Sequence, residues 1–183
     1  MTTTPKTIIG IDLSLTSTGI ATLHNGQITL NTFRTKGTKN DTWKQRADRI
    51  INTSHQIAGS VPPGATVAIE APAYASTTGS QHDRSGLWWY TYTTLHHGFG
   101  CPIIAITPAQ RMIYATGKGN TTKDQVLAAT IRRYPQANIT NNDEADALIL
   151  AAITARLHNN PIENQPLPQT HLRALNKLQE NPK

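Results

Sequence analysis

Four acids, Asp12, Glu70, Asp143 and Asp146, stand where backbone elements would aim their carboxylates at one point. Asp12 closes the apolar run Ile8-Ile9-Gly10-Ile11 and Glu70 closes Val67-Ala68-Ile69, so each ends a strand-like segment. Asp143 and Asp146 lie three apart in the helix-like stretch from Asn142 to Leu150, which puts both on one face. Taken alone, Asp12 reads equally well as a turn residue at a strand end, and Asp143 with Glu144 would also complement a helix macrodipole. A glutamate ending a buried strand is costlier, because it needs a cation or a donor. Asp146 sits deeper still, ahead of the apolar run Ala147 to Ala152. Together the four predict a cradle for two Mg²⁺ or Mn²⁺ ions about 4 Å apart, able to activate water on one side of a phosphodiester and stabilise the leaving 3′-oxygen on the other. An all-oxygen donor set suits such hard cations. Glu144, one residue out of phase, is expected to point away and cap the helix.

The charge agrees with a phosphate substrate. Lys and Arg outnumber Asp and Glu by 17 to 11, a net +6, and the pI near 9.7 favours a polyanionic partner, of which nucleic acid is the commonest. Lys118 and Lys123 flank a Gly-Asn-Thr-Thr turn ahead of a helix, where backbone N–H groups and cationic heads would meet a docked phosphate. A merely solvated basic loop would look the same. Arg111, Arg132 and Arg133 extend that patch, and a second one surrounds the first helix at Lys44, Arg46 and Arg49. Gly117-Lys118 is not a phosphate-binding P-loop, since Gly119 rather than Ser or Thr follows the lysine. The seven histidines show no zinc-type spacing with the single cysteine.

The elements that must position these groups can be read from periodicity. Residues 7–11, 18–23 and 27–34 predict a three-strand meander with an Asn25-Gly26 hairpin turn. A helix is expected over 41–58, with Trp43, Ala47, Ile50, Ile51 and Ile57 near one side, and a buried strand over 66–70. Residues 71–82 read as a substrate-touching loop. A helix over 84–97 carries Trp88, Tyr92 and Leu95, with Leu87 and Trp89 widening its apolar surface beyond one face, which raises a homodimer as one reading and burial on two sides within the domain as the other. The three tryptophans are expected in core or interface. A strand at 102–106 and helices at 108–115, 121–134 and 143–157 complete a mixed sheet flanked by helices.

At 183 residues the chain is expected to form a single domain. Cys101 alone excludes an intramolecular disulfide and fits a reducing compartment, with the thiol packed as a small apolar group. The first residues lack the apolar core of a signal peptide, and no apolar stretch is long enough to cross a bilayer, so a soluble, cytoplasmic protein without membrane partners is expected.

With the motifs in order, Ile8-Ile9-Gly10-Ile11-Asp12 with Thr18-Gly19, Ala68-Ile69-Glu70, Gly117 to Val126, and Asp143-Glu144-Ala145-Asp146-Ala147-Leu148, the chain resembles the RuvC family of Holliday-junction resolvases. The resemblance covers residues 7–158 and is nearer to phage-encoded members. It implies a ribonuclease H-like α/β fold with a five-stranded mixed sheet, in which an antiparallel meander of three strands is joined by two parallel strands. Residues 1–160 would form the nuclease domain and 161–183 a Pro-rich C-terminal tail. It further implies a homodimer that cuts opposing strands of branched, four-way DNA with Mg²⁺ or Mn²⁺. Asp12, Glu70, Asp143 and Asp146 would be the catalytic metal ligands, and Lys118, Lys123 and Arg111 would contact DNA. Relatives place an aromatic after the strand-four Glu to pry at the junction, and here Tyr74 is the candidate, in shifted register. The family's Pro-Gly after the first Asp is replaced by Leu13-Ser14. An ATP-dependent phosphotransferase would share the strand-one Asp but needs glycine-rich nucleotide loops that this chain lacks. A nuclease for other branched DNA or structured RNA, and a non-catalytic junction-binding protein, are the other readings.

Overall fold

The computed structural model describes residues 5–72, 80–176 and 178. Five strands, β1 (Thr7–Asp12), β2 (Ser17–His24), β3 (Gln27–Arg34), β4 (Thr66–Glu70) and β5 (Ile103–Ile106), form one sheet of order β3-β2-β1-β4-β5. β1, β2 and β3 pair antiparallel as a meander, and β4 and β5 add parallel to β1. This is the mixed sheet the sequence predicts. Asn25 and Gly26 both take positive φ (49° and 77°), the type I′ geometry that matches strand twist.

Strand alternation sends side chains to two cores. Ile9, Ile11, Ile20, Val67 and Ile69 face α1 (Trp43–Ala58) and α2 (Gln81–Thr93), whereas Ile8, Ala21, Leu23, Ala68 and Ile106 face α3 (Pro108–Thr116), α4 (Lys123–Arg133) and α5 (Asn142–Leu157). Every residue of α5 from Glu144 to Ala155 is buried. The helix therefore has no polar stripe; it fills the space between the sheet and its companion helices. Two glycines let it come so close. A Cβ on Gly10 would lie 2.7 Å from Ala151 N, and one on Gly19 would overlap the Asp143 carbonyl.

Three helices begin with the same device. Thr42, Thr107 and Thr122 each accept from the backbone N–H of a Gln three residues on, and each Gln side chain returns to the cap N–H. α2 runs on through a π-helical turn at Thr94–Gly98. Of the α1 side expected at Trp43, Ala47, Ile50, Ile51 and Ile57, only Ile57 is buried. The helix's buried residues are Thr53, Ser54, Ile57 and Ala58, and Trp43 is 80% exposed. The α1–α2 contact is held instead by Arg46 and Arg49, both paired with Asp83, with Arg49 also near Asp41. Trp88 is buried, but Trp89 is exposed and so is not a core residue.

The described residues after Pro161 pack on the domain. Ala174 and Leu175 are buried, Leu167, Leu172 and Leu178 pack beside them, and one helical turn, α6 (Gln169–Leu172), lies against α3. Glu163 accepts hydrogen bonds from the hydroxyls of Tyr114 (2.6 Å) and Tyr134 (2.7 Å) and pairs with Arg156 (2.6 Å). Cys101 is buried as a core residue. No described helix is long and apolar enough to cross a membrane.

Candidate active site: a carboxylate cluster at the strand ends facing α5

Period-two alternation accounts for which acids meet. Asp12 has the parity of Ile8, and Glu70 that of Ala68, so both carboxylates leave the sheet on the α5 side, at the C-terminal ends of adjacent parallel strands. Opposite them, the close approach at Gly19 sets the first turn of α5 against β2. Asn141 caps α5 by accepting from the Glu144 N–H (3.0 Å). Asp143 and Asp146 follow on one face. Ser17, with the parity of Gly19, donates its hydroxyl to Asp143 Oδ2 and orients that carboxylate.

Electrostatics mark the four as one cluster. Burial pushes Asp12 up to about 8, reinforced by the Glu70 and Asp146 charges and by Asp143, with Arg111 acting in the opposite sense. Burial likewise pushes Asp146 up to about 6, with Arg111 and Lys123 opposing and Glu70 and Asp143 adding to the rise. Carboxyls held this high resist ionisation, because burial and their neighbours' like charges penalise the anion until a cation joins them. The donor set, all oxygen and in excess of its resident positive charge, fits a hard divalent cation.

The resident positive charge is Arg111, on α3. Its Nε donates to Glu70 Oε2 and its Nη1 to Asp146 Oδ1, and the residue is only 8% exposed. Among the described residues, no three His, Cys, Asp or Glu side chains stand in a ready-made ligand cage; a guanidinium lies between two of the acids instead. Burial alone would lower the Arg111 pKa, but the Glu70 and Asp146 charges outweigh it and the net shift is upward. Behind Glu70, Trp88 Nε1 donates to its carbonyl (2.9 Å) and anchors the strand end.

Lys123, the first residue of α4, acts electrostatically on Asp146 and is exposed, so its ammonium borders the cluster. Lys118 is also exposed and lines a groove of about 950 Å³ with Asn120, Gln125, Arg132 and Arg133. Glu144 turns from the cluster; it accepts from the Thr140 N–H and hydroxyl (both 2.8 Å) and from the Thr32 hydroxyl (3.3 Å). Tyr74 lies outside the described residues.

Sequence reasoning missed Ser17 and the central place of Arg111. Ser17 was recoverable from strand parity, whereas the Arg111 pairings span 41 and 35 residues of sequence and carry no local signal.

No family model matches the chain, and no curated protein does. Solved structures do. The Thermus thermophilus RuvC structure superposes with a TM-score of 0.60 at 16% identity, covering 84% of this chain and 97% of that one. T. thermophilus RuvC in complex with a Holliday junction substrate superposes at 0.57 with 19% identity, covering 80% and 90%. The fold is therefore that of RuvC, a ribonuclease H-like fold.

Proposed function

We propose that this chain is a divalent-metal-dependent endonuclease that resolves four-way DNA junctions. The observation that carries the reading is the convergence of Asp12, Glu70, Asp143 and Asp146 at the C-terminal ends of the inner strands β1 and β4, with burial and mutual repulsion raising Asp12 and Asp146. These four would hold Mg²⁺ or Mn²⁺, two ions per site, which when bound supply an activated water and charge stabilisation for the leaving 3′-oxygen. The chain's own contributions are positional. Ser17 fixes the Asp143 carboxylate, the Trp88 bond to its carbonyl fixes the Glu70 backbone, and the Gly19 contact sets α5. Lys123, which acts on Asp146, and Lys118 and Arg132, which line the neighbouring groove of α4, would grip the scissile strand and the arm beyond it. Tyr74, which follows Glu70 closely in sequence, would be the stacking residue of this reading.

The unit that cuts is a homodimer in this proposal, since two sites on opposing strands give paired nicks. Exposed Trp43, Trp89 and Tyr90 on α1 and α2 are the apolar surface available for it. The decisive experiment incubates purified protein with labelled four-way junction, flap, duplex and RNA hairpin, with and without Mg²⁺. Symmetrical, Mg²⁺-dependent nicking of the junction in preference to the others is the expected result. Preferential cutting of flap or RNA would move the substrate to another branched nucleic acid. Junction binding with no cutting under any divalent ion would make it a non-catalytic binder.

A further inference from the structure

Arg111 is placed unlike the basic residues that the proposed function assigns to DNA. Lys118, Lys123 and Arg132 are exposed, as groups waiting for a phosphate should be, but Arg111 is buried and its fork is already spent on Glu70 and Asp146. Its backbone is held firmly. Thr107 and Gln110 close a capping box, Pro108 opens the helix, and the Arg111 N–H makes the first helical bond, to Thr107 O (3.0 Å). Guanidinium cannot shed its proton within the range of protein stability. The cluster therefore carries a permanent cation on two of the four carboxylates that the proposed function assigns to metal.

Resting on that reading, we propose that Arg111 is a built-in counter-cation, which competes with the divalent ion for Glu70 and Asp146 and swings away from them when the ion binds. A cation and a guanidinium cannot share these carboxylates without strong mutual repulsion in a water-poor site. The same oxygens that accept from Arg111 are those that would ligate. The competition keeps the acids paired and the fold intact without metal, weakens metal affinity, and on ion binding frees a long cationic side chain beside the place where the scissile phosphate would lie. A merely structural ion pair would behave differently, because its loss would loosen the ligands and weaken metal binding.

The test measures Mn²⁺ binding by the full chain without DNA, from the electron paramagnetic signal of the free ion, for the wild type, Arg111→Gln and Arg111→Lys. Competition predicts dissociation constants at least about tenfold lower in Arg111→Gln and severalfold lower in Arg111→Lys, whose single ammonium cannot bridge both acids. In parallel, the metal-free Tm falls in Arg111→Gln and the Tm rise on saturation with Mn²⁺ grows. Equal or weaker Mn²⁺ binding by the variants, with measurable binding by the wild type, overturns the inference and leaves the nuclease reading standing. If Arg111→Gln does not fold, Arg111→Lys decides by the same direction of change. Absence of Mn²⁺ binding at millimolar concentration in every protein overturns the metal site itself, and this inference with it.

Discussion

The substitution Gly19→Ala tests how the site is built. Gly19 pairs with Asp12 across β1 and β2, and the main chain of Asp143 occupies the space where its side chain would be. A Cβ there would overlap the Asp143 carbonyl and lie 3.1 Å from Asp143 Cβ. The obstacle is backbone, so no rotamer change relieves it. Restoring an ordinary contact of roughly 3.5–4 Å requires the first turn of α5 to retreat by on the order of 1 Å. Overpacking of this kind costs about 1–3 kcal/mol. The retreating turn carries Asp143 and Asp146, and a shift of about 1 Å in a reacting constellation costs roughly 10²-fold in rate. Urea unfolding should show the stability loss, and junction cleavage at saturating Mg²⁺ the rate loss. Junction affinity should hold, since Lys118, Lys123 and Arg132 do not ride on α5. Gly98→Ala makes the same chemical change where a Cβ meets nothing within 4 Å, and should stay within about 0.5 kcal/mol of the wild type. A Gly19→Ala protein with wild-type rate and stability would refute the claim that helix–strand contact sets the acids.

Asp12→Asn or Asp146→Asn should abolish cutting and preserve junction binding in a gel-shift assay, because each removes a ligand and leaves the basic surface; lost binding with unchanged cleavage per bound complex would contradict the assignment. For pH, the folded value of Asp12, about 8, lies above its ordinary 3.8, so the protonated form favours folding; that contribution is complete below about 4 and is lost as pH rises towards 8. Metal-free wild type should therefore lose stability relative to Asp12→Asn over that window, as read by denaturant melts at stepped pH. Glu163→Ala strands two buried tyrosine hydroxyls and the Arg156 guanidinium, and should cost about 3–5 kcal/mol in urea unfolding. Thr107→Ala removes the cap that fixes the start of α3, and should cost about 0.5–2 kcal/mol by the same measurement.

Much of this architecture was legible because strand parity is strict. Once β1 and β4 are placed, alternation alone puts Asp12 and Glu70 on one face, and the Asn25-Gly26 turn fixes the meander register. Helix faces were harder. α1 reads as grouping Trp43, Ala47, Ile50, Ile51 and Ile57 on one side, yet it buries Thr53, Ser54, Ile57 and Ala58, and it meets α2 through the pairing of Arg46 and Arg49 with Asp83. The three Thr-x-x-Gln boxes were readable start signals, and they account for the firm beginnings of α1, α3 and α4. Glu163 gave no sign of its importance, since a glutamate in a Pro-rich stretch looks like solvated coil until the two tyrosines that seek it are folded into place.

The burial of α5 on every side has a kinetic corollary. With water kept from the whole span Glu144 to Ala155, its amides have no shallow route to exchange, and their deuterium uptake should wait for whole-molecule opening. Frayed ends and breathing loops can thus come and go while the pedestal beneath Asp146 keeps its shape.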